Sequence, residues 1–175
     1  GRVNDYEGEY GIYHDPIAQT FQISQAGGVM LTDVEVFFSS KGSTGVAMEI
    51  RPTINGVPSS SQIIEDTVLM ASQINVVPDG ATNKVMLQNG TTFSIPPTFL
   101  SAPGEYAICL RPLENDPDFN VYVGKVGEFQ LGTTEARIQQ QPILGSFFKS
   151  QNSRIWEPAS DTDLAYRLTV ARFAT

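Results

Sequence analysis

Apolar and polar residues alternate along most of this chain with a period of two, which is typical of β-strands that bury one face. A clear example is the stretch in which Tyr106, Ile108 and Leu110 fall on one side. Helical periodicity is nearly absent, apart from a turn or two that residues 133–141 allow. The pattern predicts about eight strands, drawn from candidates at residues 18–24, 29–38, 46–51, 63–70, 85–87, 92–95, 105–111, 119–123 and 164–170.

The same alternation assigns a buried face to each strand. In residues 29–38 the buried positions are expected to be Met30, Val34, Val36 and Phe38, with Thr32 as an interruption. In residues 46–51, Glu49 and Arg51 fall on the face opposite Met48.

Glycine and proline place the turns between these strands. Asn55-Gly56 predicts a type I′ hairpin turn, because both central residues of that turn need a positive φ. Asn89-Gly90 predicts a second hairpin, between the segments at residues 85–87 and 92–95. Pro96-Pro97 is expected to stop central pairing, since proline has no N–H to donate to a ladder.

Short strands at this spacing predict an all-β fold, namely an antiparallel β-sandwich. A jelly-roll-like order is favoured over a seven-stranded immunoglobulin type, because the Cys–Trp–Cys spacing of the latter is missing. Residues 1–15 are polar, carry three tyrosines and show no clear period. They are expected to be an N-terminal arm or linker that lies along the domain or docks on a neighbouring chain. Residues 16–175 then form a single β-sandwich domain.

Composition agrees with a scarcity of helices and removes several function classes. Only 17% of the 175 residues are charged, below the usual figure of about 25%. The net charge of -8 argues against binding through phosphates, so we expect no nucleic-acid partner. No apolar run approaches the ~18 residues of a membrane helix, and no signal peptide opens the chain. We therefore expect no membrane insertion. Because the chain begins at Gly1, we expect a piece of a longer polypeptide or a cloning scar.

Catalytic chemistry has few candidates in this sequence. One Cys and one His exclude an internal disulfide, a cysteine-based zinc site and a multi-histidine metal centre. Cys109 lies opposite Tyr106 on its strand and is expected to be an ordinary packed or half-buried thiol. His14 is expected at a turn, and the loop at residues 42–45 lacks the lysine of a phosphate-binding loop. We predict that the protein is not an enzyme and has no cofactor.

Acidic residues gather in two places, at Glu157, Asp161 and Asp163 and again at Asp116 and Asp118. Oxygen-rich loops suit calcium, but this spacing fits no EF-hand, so solvated turn acids are expected and no metal site is predicted. A glycoside hydrolase or lyase is a third hypothesis, which only these scattered carboxylates support.

Residues 145–156 have the least ordinary composition in the chain, with aromatic, cationic and amide side chains and the only Trp. Aromatic and amide groups suit a sugar-binding surface, and Trp with Arg anchors protein interfaces. The alternative is that Phe147 and Trp156 fill the core beneath a loop. The candidate interaction surface consists of Phe147, Lys149, Gln151, Asn152, Arg154 and Trp156.

A set of motifs in collinear order resembles a known family. The motifs are residues 15–21 (DPIAQTF), 27–38 (GGVMLTDVEVFF), 49–52 (EIRP), 55–58 (NGVP), 104–108 (GEYAI), 141–152 (QPILGSFFKSQN) and 163–168 (DLAYRL). Together they resemble a domain of large structural proteins of T4-like contractile-tail phages, especially marine cyanophages. Those proteins belong to the baseplate wedge or to the virion structure.

The resemblance implies a non-enzymatic structural module of a phage tail or baseplate, located in the virion. Its partners would be other virion subunits, and the family's motifs carry no catalytic role. The composition of residues 145–156 leaves an alternative open. This is a carbohydrate-binding β-sandwich module that recognises a host-surface glycan.

Overall fold

The computed structural model of the protein describes residues 8–11, 16–124, 145–150, 152, 154–159 and 162–172. Their regular structure is nearly all β, and every pairing between these strands is antiparallel. The strands are β1 (Gly8–Gly11), β2 (Ile17–Ile23), β3 (Val29–Val36), β4 (Phe38–Ser40), β5 (Gly45–Ile54), β6 (Val57–Pro58), β7 (Thr67–Met70), β8 (Thr91–Leu100), β9 (Gly104–Pro112), β10 (Asn120–Gly124), β11 (Phe147–Lys149), β12 (Glu157–Ala159), β13 (Asp163–Leu164) and β14 (Tyr166–Arg172). The all-β antiparallel fold is confirmed, whereas the β-sandwich and its jelly-roll order stay predictions.

The strands form three sheets around a shared core. Seven strands lie in the order β12-β11-β2-β9-β5-β6, with β7 also beside β5. Three lie in the order β14-β3-β8, and four form β1-β10-β13 with β4 beside β10. Phe21 of β2 joins the first two sheets, since its ring centroid lies 6.0 Å from that of Tyr106 and 6.5 Å from that of Tyr166. The main core, which includes Phe21 and Tyr106 of the seven-stranded sheet, Tyr166 of the three-stranded sheet and Phe38 of the four-stranded sheet, therefore packs residues of different sheets against each other.

Part of the expected N-terminal arm pairs with this domain. Gly8–Gly11 forms β1, which pairs along β10 from Val123 to Asn120. Residues 1–7 and 12–15, which include His14, lie outside the described residues, as do residues 133–141.

Where the alternation is regular, the predicted faces are confirmed. On β9 the side chains of Tyr106, Ile108 and Leu110 are all buried in the main core. The predicted type I′ turn is supported by the backbone, since Asn55 has a φ of 53° and Gly56 a φ of 79°. This turn joins β5 to β6, with Ile54 opposite Val57.

The predicted face of β3 is wrong for its first half. Val29 and Leu31 are buried there, and Met30 is only half-buried. Leu31 and Asp33 pair with the consecutive residues Val170 and Thr169 of β14, so that Thr32 is the extra residue of a β-bulge. Because a bulge inserts one extra residue, it moves the period-two pattern to the other face. The expected interruption at Thr32 is this bulge.

Strand β8 extends beyond its predicted end at residue 95 and continues through Pro96 and Pro97 to Leu100, although its pairing with β3 is interrupted at the prolines. Two features make this possible. Strand β8 lies at the edge of its sheet, where proline removes no hydrogen bond to a further strand. The prolines also fall in the gap of the register between Ser94 and Thr98, opposite the bulge of β3.

The hairpin predicted around Asn89-Gly90 is replaced by a helix and a turn. Residues Asn83–Leu87 form the short helix α1, whose N-terminus is capped by Thr82: its Oγ1 accepts a hydrogen bond from the Val85 N–H at 3.3 Å. Met86 is buried in a second apolar cluster, and this tertiary burial outweighs the hairpin signal. Across the described ranges, no helix is long and apolar enough to span a membrane.

Candidate functional site

Strands β11 and β12 add a short antiparallel pair to the edge of the seven-stranded sheet. Strand β11 pairs with β2 on one side and with β12 on the other. Asn152 shapes the connection, because its Oδ1 accepts hydrogen bonds from the backbone N–H groups of Arg154 and Ile155, each at 2.9 Å. Asparagine is well suited to close a turn in this way. The turn returns the chain over the sheet at Trp156.

Two aromatic residues of this segment, Phe148 and Trp156, cover the sheet face that points away from the main core. Ala18, Ala107 and Cys109 provide small side chains on that face, and Phe148 and Trp156 pack with them. Only 8% of Trp156 is exposed, and Phe148 is buried as well. The small side chains leave space that the large rings fill, as close packing requires. Trp156 therefore belongs to an outer core beneath its own loop.

Two members of the predicted interaction surface are interior residues. Phe147 lies in the main core with 1% of its surface exposed, and Trp156 lies in the outer core. Neither ring can be offered to a ligand or partner in this structure. This corrects the sequence-based surface, in which both rings were included. The physical reason is that the sheet has apolar residues on both faces, and each face needs an aromatic cover.

The exposed part of the segment is smaller and differs from the prediction. Asn152 and Arg154 are exposed, Lys149 is half-buried in β11, and Gln151 lies outside the described residues. Ile155, which the sequence analysis did not select, is 71% exposed. The exposure of Ile155 follows from its position in the turn closed by Asn152, since the next residue, Trp156, is the one whose side chain is buried.

A buried ion pair on β5 adjoins Trp156. Arg51 and Glu49 keep only 7% and 5% of their surface exposed, although they lie on the strand face opposite Met48. Arg51 Nε donates to Glu49 Oε1 at 2.6 Å, and Nη1 donates to the Ser59 carbonyl at 3.2 Å. The guanidinium carbon lies 5.7 Å from the Trp156 ring centroid. The Gln62 amide donates to the second Glu49 oxygen. These contacts fix the Arg51 side chain.

An open depression of about 470 Å³ lies beside this ion pair and is lined by Arg51, Ser60, Asn152 and Arg154. These residues come from β5, from the loop after β6 and from the turn before β12. The described lining contains no carboxylate, imidazole or thiol. The depression therefore has groups that bind a ligand by hydrogen bonds and charge, and no general base.

Cys109 is a packed thiol, as the sequence predicts. It is 4% exposed in the outer core. Burial raises the pKa of the thiol to about 12; the Arg51 charge opposes this shift and the Glu49 charge adds to it. Because the thiolate is the nucleophile, a thiol with this pKa is inert at neutral pH.

We therefore expect Cys109 to react with a thiol reagent such as DTNB only after unfolding. At pH 8 the native protein should show negligible labelling over minutes, and the same sample in denaturant should release one equivalent of chromophore. The chain has 1 Cys, so the signal has a single source. Rapid labelling of the native protein would mean that the outer core is open.

The glycine-containing loop between β4 and β5 binds an internal carboxylate. Asp116 Oδ2 accepts hydrogen bonds from the N–H groups of Ser43 and Thr44, at 2.9 and 3.1 Å, and from the Thr44 hydroxyl at 2.9 Å. A Cβ on Gly42 would overlap this carboxylate. Burial raises the pKa of Asp116, but the hydrogen bonds from Asp118, Thr44 and Ser43 outweigh it and hold the pKa below its usual value. Asp116 is thus a buried structural acid, and its prediction as a solvated turn acid is wrong.

Asp163 is the second of the acids that were predicted to be solvated but are buried, with 1% of its surface exposed. Its Oδ1 accepts a hydrogen bond from Gln19 Nε2 at 3.1 Å, and Gln19 Oε1 accepts the Leu164 N–H at 2.8 Å. Asp163 Oδ2 and the Tyr166 hydroxyl are buried without a partner among the described residues. Burial raises the pKa of Asp163 to about 7, although the Gln19 hydrogen bond opposes this shift.

The remaining acids do not converge on a site. Glu157 is exposed on β12, and Asp161 lies outside the described residues. Within the part of the chain that the structure describes, no group of three or more His, Cys, Asp or Glu side chains is placed to hold a metal ion.

Comparisons with known proteins show similarity in fold and not in sequence. No protein-family model matches the chain, and no curated protein is significantly similar to it. One similar solved structure is the crystal structure of the cysteine protease and lectin-like domains of Cwp84, a surface layer associated protein of Clostridium difficile. The TM-score is 0.57 at 11% identity, and the match covers 98% of this chain and 37% of that chain. This chain therefore spans about a third of the length of its structural neighbour, and the likeness concerns the fold alone.

Proposed function

We propose that the chain is a non-catalytic structural module of a phage tail or baseplate, located in the virion, where it contacts other virion subunits. The phage setting comes from the ordered motifs that resemble the contractile-tail proteins. A structural role is supported by two reactive side chains that are not available to a substrate. Cys109 is buried with a raised pKa, and the Asp116 carboxylate is occupied by backbone and hydroxyl donors.

The observation that carries the assembly role is an edge strand that is apolar on both faces. Strand β7 pairs with β5 and with no other described strand. Leu69 packs against the main core, while Val68 and Met70 point outward and are 42% and 47% exposed. Proteins usually protect edge strands with charge or proline. An unprotected apolar edge is typical of a surface that a partner covers.

The assembly role can be tested on particles of a tailed phage that encodes the chain. Antibodies against the chain should label the tail end of purified particles. The double substitution Val68→Asp/Met70→Asp should reduce incorporation in a complementation assay, because it places charge in the contact. Ile155→Asp is the matched control, since it charges another exposed apolar residue on a different surface. Unlabelled particles, together with a reading frame among metabolic genes, would contradict the proposal.

A second candidate function is carbohydrate binding at a host surface. It is favoured by the depression near Asn152 and Arg154, which offers amide, hydroxyl and guanidinium donors. The similar solved structure includes a lectin-like domain. A glycan array tests this candidate with Arg154→Ala as the variant and Lys84→Ala, on helix α1, as the control of equal charge. Trp156→Ala is unsuitable here, because the residue is interior.

A further inference from the structure

We infer that the depression lined by Arg51, Ser60, Asn152 and Arg154 is a site for a carboxylate-bearing saccharide, such as a glycan that contains uronic acid. This rests on the carbohydrate-binding candidate and names its ligand class. The lining side chains present hydrogen-bond donors and positive charge with no carboxylate among them. Such a lining selects a ligand rich in acceptors.

Asn152 presents a donor to the depression. Its Oδ1 is occupied by the Ser150 hydroxyl at 3.2 Å and by the N–H groups of Arg154 and Ile155. The Asn152 carbonyl oxygen is thus already occupied by the hydrogen bonds that close the turn. What Asn152 has left for a ligand is its NH₂ group, which only donates.

Arg51 and Arg154 provide the charge in different ways. Arg51 is fixed by Glu49, by the Ser59 carbonyl and by the ring of Trp156, and Glu49 compensates its charge. The exposed Arg154 guanidinium has no hydrogen bond or ion pair to the described residues. The uncompensated positive charge of the depression is therefore that of Arg154, although the chain as a whole has a net charge of -8. A guanidinium binds a carboxylate with two parallel hydrogen bonds.

The size and the neutral groups of the site favour a sugar over an acidic peptide. A volume of about 470 Å³ accommodates one or two pyranose rings and falls within the usual 300–1,000 Å³ of ligand pockets. The Ser60 hydroxyl and the Asn152 amide can donate to ring and hydroxyl oxygens. The carboxylate of an acidic sugar adds an acceptor pair for the Arg154 guanidinium, which a neutral sugar lacks.

The experiment measures binding of tetragalacturonate and of its fully methyl-esterified form to the purified chain by isothermal titration calorimetry. The acid should bind, and the ester should bind at least about tenfold more weakly, because each charge-assisted hydrogen bond contributes more than a neutral one. Arg154→Ala should weaken binding of the acid by about tenfold or more. Lys84→Ala should leave it within about twofold, and added salt should weaken it. Near-ultraviolet circular dichroism checks that each variant keeps the native fold.

The outcomes separate this inference from the function on which it rests. Equal binding of acid and ester, lost together in Arg154→Ala, would overturn the acidic class and leave saccharide binding standing. Preference for a polyglutamate peptide over both sugars would overturn the inference in favour of a protein partner. Absence of binding to both probes and to the whole glycan array would overturn the inference and the carbohydrate-binding candidate together.

Discussion

Replacing Trp156 by alanine should lower the free energy of unfolding by about 3–5 kcal/mol, as large-to-small changes of buried tryptophan do. Trp156 packs with Phe148, Ala107 and Cys109 and lies against the Arg51 guanidinium. Its removal opens a cavity over the sheet and exposes a buried ion pair to water on one side. A domain of this size has about 5–15 kcal/mol of net stability, so the variant should lose a large share of it.

The neighbouring residue supplies a matched control for this prediction. Ile155 is 71% exposed, so Ile155→Ala should change the unfolding free energy by less than about 0.5 kcal/mol. Urea unfolding followed by far-ultraviolet circular dichroism compares both variants with the wild type, since loss of the single Trp removes the fluorescence signal. Equal midpoints for the two variants would show that Trp156 is not packed and would return it to the candidate surface.

Stability should fall as the pH rises from about 4 to about 7, and Asp163 should be the cause. Its pKa is raised by burial from 3.8 to about 7, so the folded protein holds a proton that the unfolded chain releases. An acid with a raised pKa contributes most stability below its unfolded pKa and loses it as the pH approaches its folded pKa. At about 1.4 kcal/mol per pKa unit, this loss amounts to about 4 kcal/mol.

The substitution Asp163→Asn should remove this dependence, because the amide keeps the acceptor for Gln19 and cannot ionise. The unfolding free energy of the variant, measured against wild type by Trp156 fluorescence, should improve by about 4 kcal/mol between pH 4 and pH 7. Comparing the unfolding free energies of variant and wild type cancels the contribution of Asp116. That contribution has the opposite sign, because the lowered pKa of Asp116 means that its stabilisation is lost only at acidic pH. Asp118→Asn changes an exposed acid and serves as the control. A constant difference across this pH range would refute the role of Asp163.

The strands that sequence reasoning placed correctly are those in which local and tertiary signals agree. On β9 the alternation of Tyr106, Ile108 and Leu110 coincides with the face that meets the main core. At Asn55-Gly56 the turn requires positive φ, a purely local property that the residue types reveal. Such features are encoded within a few residues and can be read without knowledge of the fold.

The errors arose where a distant strand changed the local rule. The sequence marks Thr32 only as an interruption of the alternation, and the pairing of β3 with the distant strand β14 makes that interruption a bulge that changes the buried face. Helix α1 forms where a hairpin was expected, since burial of Met86 depends on a cluster that includes Phe37 and Val77. Prolines persist in β8 because the strand is an edge, which is a property of the sheet order.

The candidate site likewise combines features that are local in sequence with features that depend on distant parts of the chain. The unusual composition of residues 145–156 directed attention to a segment that contributes Asn152 and Arg154, both exposed, to the depression. The sequence could not tell that Trp156 packs inward, or that Arg51 and Ser60 come from other elements to complete the depression. These residues are separated by about a hundred positions in the chain and are brought together only by the pairing of β11 with β2 and of β5 with β9.

The sequence by itself determined the all-β class, because alternation with a period of two and frequent turn residues are local properties of the chain. It also limited the chemistry, since 1 Cys and 1 His leave few catalytic combinations. Only the tertiary structure decided which faces are buried. A strand pattern records polarity along one chain segment, whereas burial depends on what packs above it, and here Phe148 and Trp156 cover the face that carries Ala18, Ala107 and Cys109.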